Sequence, residues 1–161
     1  MSARRPLLLL LLPLTLAACG PKAPEGVDKR VLDAAINQAV GDPGTCVLIA
    51  KAGGGQVYRF GTHAVCGRKL PACAGDVLRT AGDVLDRVAE GRKVDTASCT
   101  STAPGRRVAW AAGPIAGSDL VYSAVMEGAN TPPGLVVDDK LQAAFRRAGV
   151  AAATKPSAPA L

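Results

Sequence analysis

The stretch Cys46-Val47-Leu48-Ile49-Ala50-Lys51-Ala52-Gly53-Gly54-Gly55-Gln56-Val57-Tyr58-Arg59-Phe60 sets two runs of strand-forming residues on either side of a glycine triplet. Branched and aromatic residues bounding a glycine loop are the pattern of a β-hairpin. With the loop centred on the glycines, Ala50 falls opposite Tyr58 and Leu48 opposite Phe60. That register makes one face apolar and puts Lys51 and Arg59 on the other. The triplet is not followed by the Gly-Lys-Ser/Thr and helix that a phosphate cradle requires, so it reads as turn chemistry.

Before the hairpin, Val31, Leu32, Ala35, Ile36, Ala39 and Val40 recur at helical spacing between Asp28 and Gly41, and Asp42-Pro43-Gly44 turns the chain. After it, Cys66 to Cys73 is a polar loop containing Gly67 and Pro71. Val77, Leu78, Ala81, Val84, Leu85 and Val88 predict a second helix that stops at Gly91. Residues 94–106 are rich in turn formers. A second hairpin is predicted from Arg107-Val108-Ala109-Trp110 to Leu120–Met126, turning at Gly117-Ser118-Asp119. Leu141, Ala144, Phe145 and Ala148 predict a third helix, with Asp138 and Asp139 at its start and Arg146 and Arg147 at its end, as the helix dipole favours.

This order predicts an α+β fold: an antiparallel sheet built from two hairpins, with three amphipathic helices on one side and two disulfides. One domain is expected over residues 27–150, followed by an Ala/Pro/Lys/Ser tail, 151–161, whose composition predicts disorder. No fixed-period repeat occurs. The aromatic residues are few (Tyr58, Phe60, Trp110, Tyr122 and Phe145), so Val, Ala and Leu must supply most of the core.

At the N-terminus, Arg4 and Arg5 precede an apolar run from Leu7 to Leu16, and small residues Ala17-Ala18 lead to Cys19. This is the layout of an export signal over residues 1–18. Its apolar run is shorter than the roughly 20 residues a membrane-spanning helix needs. Leu16-Ala17-Ala18-Cys19 resembles the lipobox of bacterial lipoproteins. The resemblance implies cleavage before Cys19, a diacylglyceryl group on its thiol and an acyl chain such as palmitate on its amine. Residues 19–26 would then form a lipidated tether, with membrane lipid as the first partner. Gly20, where family members retained in the inner membrane tend to carry Asp, implies the outer membrane, facing the periplasm.

The remaining cysteines, Cys46, Cys66, Cys73 and Cys99, form an even set in a chain bound for an oxidising compartment, which predicts two disulfides in one of three pairings. In the hairpin register above Cys46 faces Thr62. On a straight strand Cys66 would then lie roughly 13 Å further on, beyond the roughly 7 Å Cα limit for a bridge. That register favours Cys46–Cys99 with Cys66–Cys73. Cys46–Cys66 with Cys73–Cys99 requires the chain to double back at His63-Ala64.

The element order is similar to that of roadblock/profilin-type domains and of the α/β half of penicillin-recognising enzymes. Residues 46–73 resemble the opening strands of class D serine β-lactamases, in which the next element carries Ser-x-x-Lys, the acylated serine and its lysine base. Here that place falls on Cys73-Ala74-Gly75-Asp76, and neither Ser-x-x-Lys nor Lys-Thr-Gly occurs in the chain. No catalytic residue, cofactor or metal site is assigned. His63 is the single histidine, and a Cys66–His63 nucleophile pair would need a reduced thiol. Trp110 reads as a core residue rather than a ligand-stacking one.

The net charge of +6 is spread over the pairs Arg92-Lys93, Arg106-Arg107 and Arg146-Arg147 among acidic residues, the pattern of solvated surface charge; an export signal argues against nucleic acid as a partner. The sequence thus points to a membrane-anchored lipoprotein with a small non-catalytic binding or accessory domain and an envelope protein or glycan as partner. The alternative is an enzyme, or a catalytically degenerate relative of the β-lactamase-like fold.

Overall fold

The Asp28 side chain accepts from the Arg30 amide at 2.8 Å, and from this cap helix α1 (Lys29–Val40) runs until the backbone turns extended at Gly41. The computed structural model describes residues 22–91 and 95–150. The export segment, Cys19, Arg92-Lys93 and the tail 151–161 lie outside them. Among the described residues no helix is long and apolar enough to cross a membrane.

Strands β1 (Thr45–Lys51) and β2 (Gln56–Phe60) form the first hairpin, and the one-turn helix α2 (His63–Cys66) follows. A two-stranded ribbon, β3 (Leu70–Pro71) with β4 (Leu78–Arg79), leads into helix α3 (Ala81–Ala89). Strands β5 (Asp95–Thr100), β6 (Arg107–Pro114) and β7 (Leu120–Gly128) precede helix α4 (Gly134–Arg147). The main sheet is antiparallel throughout, in the order β2-β1-β7-β6-β5. The fold is α+β, as the sequence predicts, with three further pieces, the β3–β4 ribbon being one. A fifth strand occupies residues 95–100, within the segment read as turns, and pairs along its whole length with β6. The short helix α2 makes a fourth.

The helices do not share one side. β1 and β7 are buried on both faces, so their sequences read as continuous apolar runs rather than alternating ones. Val47, Ile49, Ala109, Ala111, Tyr122 and Ala124 point to the face covered by α1 and α4. Cys46, Leu48, Val108, Trp110, Val121 and Val125 point to the face covered by α3, and Cys66 at the end of α2 packs there too. α4 can lie close to the sheet because it opens on Gly134, where a Cβ would overlap the carbonyl oxygen of Trp110 and lie 2.7 Å from that of Ala97. Its first amide donates to Ser98 Oγ at 2.8 Å.

The first hairpin is shifted by one residue from the sequence-based register: Ile49 faces Tyr58 and Val47 faces Phe60, with an irregularity between Ile49 and Ala50. Tyr58 and Phe60 therefore pack with the α1–α4 face. The cysteine pairing is corrected as well. The bonds are Cys46–Cys66 (Cα–Cα 5.1 Å) and Cys73–Cys99 (Cα–Cα 5.3 Å), not Cys46–Cys99 and Cys66–Cys73. The chain does not run straight past Gly61, whose φ of +99° turns it where a Cβ would sit 2.5 Å from the Thr45 carbonyl oxygen. Thr62 then caps α2, and the helical rise of about 1.5 Å per residue brings Cys66 back over Cys46.

The second helix also starts later than its apolar spacing predicts. Thr80 and Asp83 form a reciprocal capping box, which fixes the start at Ala81 and leaves Val77 and Leu78 in the exposed ribbon.

Candidate functional site

Val84 and Val88, one helical turn apart on α3, bring Arg87 into the same wall. Facing them are Ala72 and Ala74 from the tip of the β3–β4 ribbon, Arg79 from β4, Asp95 from β5 and the ring of Trp110 from β6. Together these residues enclose a recess of about 120 Å³. That is below the roughly 300–1,000 Å³ of sites for drug-sized ligands, so it suits a small molecule or a single side chain. The Trp110 indole N–H is satisfied within the protein, donating to the Pro71 carbonyl at 2.7 Å, so the tryptophan contributes a fixed apolar wall.

The Cys73–Cys99 bond ties the ribbon tip, between Ala72 and Ala74 of the lining, to β5. Cys73 is the non-glycine residue with positive φ among those described, at +61°, a strained conformation held in place by that bond and by the ribbon hydrogen bond from Ala72 N to Val77 O at 2.8 Å.

A second polar cluster lies where β7 ends. Glu127, buried, accepts from Ser101 Oγ and from the Arg68 guanidinium, while Arg106 Nη2 donates to the Glu127 carbonyl at 2.7 Å. Burial acts to raise the Glu127 pKa. The hydrogen bonds from Ser101 and Arg68 and the charges of Arg68 and Arg106 outweigh it and hold the carboxyl below the usual carboxylate range. A depressed folded-state pKa stabilises the fold above the unfolded value of about 4.3, and the contribution is lost as pH falls through the folded value. Every carboxylate oxygen of Glu127 is engaged with protein donors, which makes this a structural tie between β7 and two loops, the one carrying Arg68 and the β5–β6 loop.

On the other face two phenols donate to helix carboxylates: Tyr58 to Asp33 on α1 at 2.6 Å, and Tyr122 to Asp138 on α4. Burial foremost, then these carboxylates, push both phenols far above their ordinary range. At the start of α3, hydrogen bonds from the Thr80 backbone amide and side chain hold Asp83 below its usual value.

The residues singled out in the sequence are dispersed. His63 opens α2 at the surface with its Nδ1 2.8 Å from Arg59 Nη1, while Cys66, buried, is committed to its disulfide. The glycine triplet is a hairpin loop docked on the end of α3, with Gly53 N donating to Ala89 O at 2.8 Å. Cys73–Asp76 is the ribbon tip, and the helix after the hairpin opens instead at Thr80, whose hydroxyl accepts from Asp83 N at 3.1 Å. Arg106 serves Glu127, whereas Arg107, Arg146 and Arg147 are exposed. Among the described residues no group of three His, Cys, Asp or Glu side chains could hold a metal ion.

Sequence reading missed Arg79, Arg87, Asp95 and Glu127. Two of these carried a signal. Arg87 adjoins the apolar stripe of α3, and Glu127 follows seven apolar or small residues in a strand, where a buried acid requires cationic partners.

No protein-family model matches the chain, and neither a curated protein nor a solved structure matches it significantly.

Proposed function

We propose that the protein is a lipid-anchored lipoprotein of the cell envelope whose disulfide-bonded α+β domain binds another envelope component at the recess beside Trp110. The observation that carries this reading is the pairing of all four domain cysteines at bonding distance, because such a framework persists in the oxidising compartment to which the Leu16-Ala17-Ala18-Cys19 segment would direct the chain. Acylated Cys19 supplies the anchor, and Gly20, where inner-membrane members tend to carry Asp, favours the periplasmic face of the outer membrane. Binding is favoured over catalysis by the lack of Ser-x-x-Lys and Lys-Thr-Gly in the chain. A penicillin-recognising enzyme would carry its serine and lysine where this chain has Cys73-Ala74-Gly75-Asp76, a ribbon tip without either residue and with Cys73 committed to a disulfide.

The test is Cys19→Ala in the full chain expressed in a Gram-negative host. Loss of acyl labelling and release from the membrane fraction, or accumulation of the uncleaved chain, is the expected result. A Cys19→Ala protein that is cleaved and still partitions into detergent like the parent would overturn the anchor.

A further inference from the structure

The recess beside Trp110 has an uneven chemistry. Arg79 and Arg87, both half-buried, line it, and neither has a hydrogen-bonding or ion-pairing carboxylate among the described residues. Asp83, the acid whose pKa responds to the Arg79 charge, already accepts from Thr80 N at 2.7 Å. Two arginines on the lining of one apolar-walled recess can receive a planar anion, since each guanidinium fork can give a carboxylate paired N–H donors. Val84, Val88, Ala72 and Trp110 offer room for a short apolar group, and Asp95 puts one negative charge on the same lining. An anion, a small apolar body and a cation are the three parts that these walls complement. At about 120 Å³ the recess matches a group of amino-acid size.

We propose that this recess binds a small zwitterionic carboxylate of α-amino-acid size, its carboxylate on Arg79 and Arg87 and its ammonium toward Asp95. The inference rests on the binding role proposed above and names the ligand class. It is independent of Cys19, so retained anchoring with failed binding would remove this site alone.

Trp110 is the single tryptophan, which gives the site its own reporter: one indole cross-peak in a ¹H–¹⁵N spectrum of the full chain. Alanine, propionate, propylamine and inorganic phosphate are titrated separately. Saturable movement of the indole peak is expected with alanine, weaker with propionate, and absent with propylamine. Arg79→Gln and Arg87→Gln should each weaken alanine binding by about tenfold or more, the loss of one charge-assisted hydrogen bond. Asp95→Asn should weaken alanine but leave propionate unchanged, and Arg146→Gln, far along α4, should change neither. Phosphate or propylamine binding as tightly as alanine would overturn the assignment, as would propionate matching alanine or the lack of any saturable shift. If an arginine variant fails to give a folded spectrum, the order of the four probes on the unmodified chain and the Asp95→Asn comparison still decide.

Discussion

The two faces of the sheet are held by different means. One carries α1 and α4, of 12 and 14 residues, packed on each other and on the sheet with no disulfide. Leu32, Ile36, Leu141 and Phe145 are fully buried there, and each such side chain contributes roughly 1.5–3 kcal/mol. The other face carries α3, of nine residues, and the single turn of α2, and both disulfides lie on it. Loops of 20 and 26 residues closed by those bonds give roughly 3 kcal/mol each in the chain-entropy model. Covalent links therefore stand where helix is short, and the recess lies on the linked face. A site bounded by ribbon and loop needs such fastening more than one set between long helices.

The largest expected effect tests the helical face. Phe145 is fully buried with its ring edge-on to Tyr122 at 5.2 Å, and Phe145→Ala should cost about 3–5 kcal/mol in denaturant unfolding. A loss below 1 kcal/mol would mean that this face is not held by packing. Next comes the linked face: replacing both Cys73 and Cys99 with Ala should cost about 3 kcal/mol. Hydrogen exchange should rise in the β3–β4 ribbon and β5 while α1 and α4 keep their protection. Equal loss of protection on both faces would erase the distinction. The smallest effect concerns the phenol ties. Tyr122→Phe should cost about 1 kcal/mol at neutral pH. Because the folded-state pKa of Tyr122 is raised, its contribution is complete below the unfolded value of about 10 and is lost as pH rises through the folded value. The unmodified protein should lose more stability than Tyr122→Phe when the pH is taken above 10. Parallel pH curves would show that the phenol contributes no such linkage.

The two faces also differed in how far the sequence revealed them. The α1–α4 face was legible, since its helices carry regular apolar spacing and the β6–β7 hairpin lies where its alternation of strand formers and turn places it. The start of α4 was placed a turn late, at Asp138 instead of Gly134, so its first turn carries no acid, and the limits of α3 and the register of β1–β2 were misread for local reasons. Thr80 and Asp83 override an apolar pattern that extends back to Val77, and the hairpin turns one residue early, pairing Ala50 with Gln56, an offset that the irregularity at Ile49/Ala50 halves. The disulfide pairing failed separately, at Gly61, where the chain turns into α2 and carries Cys66 back over Cys46. The recess could not be assembled from spacing at all. Arg79, Arg87, Asp95 and Trp110 come from four separate elements, and only the fold brings them together.

The position of β1 has a consequence for how the domain forms. β1 lies inside the sheet, yet one of its neighbours, β2, follows it directly, while the other, β7, sets Met126 against Thr45 from near the far end of the chain. Loop-closure entropy opposes such distant pairing until the intervening segments are organised, and folds dominated by it form slowly. A chain emerging from its N-terminus can thus complete the β1–β2 hairpin and the Cys46–Cys66 link early, with the other edge of β1 left open until β7 arrives. The oxidation of this bond, a reaction of nearby residues, can precede the closing of the sheet that it later braces.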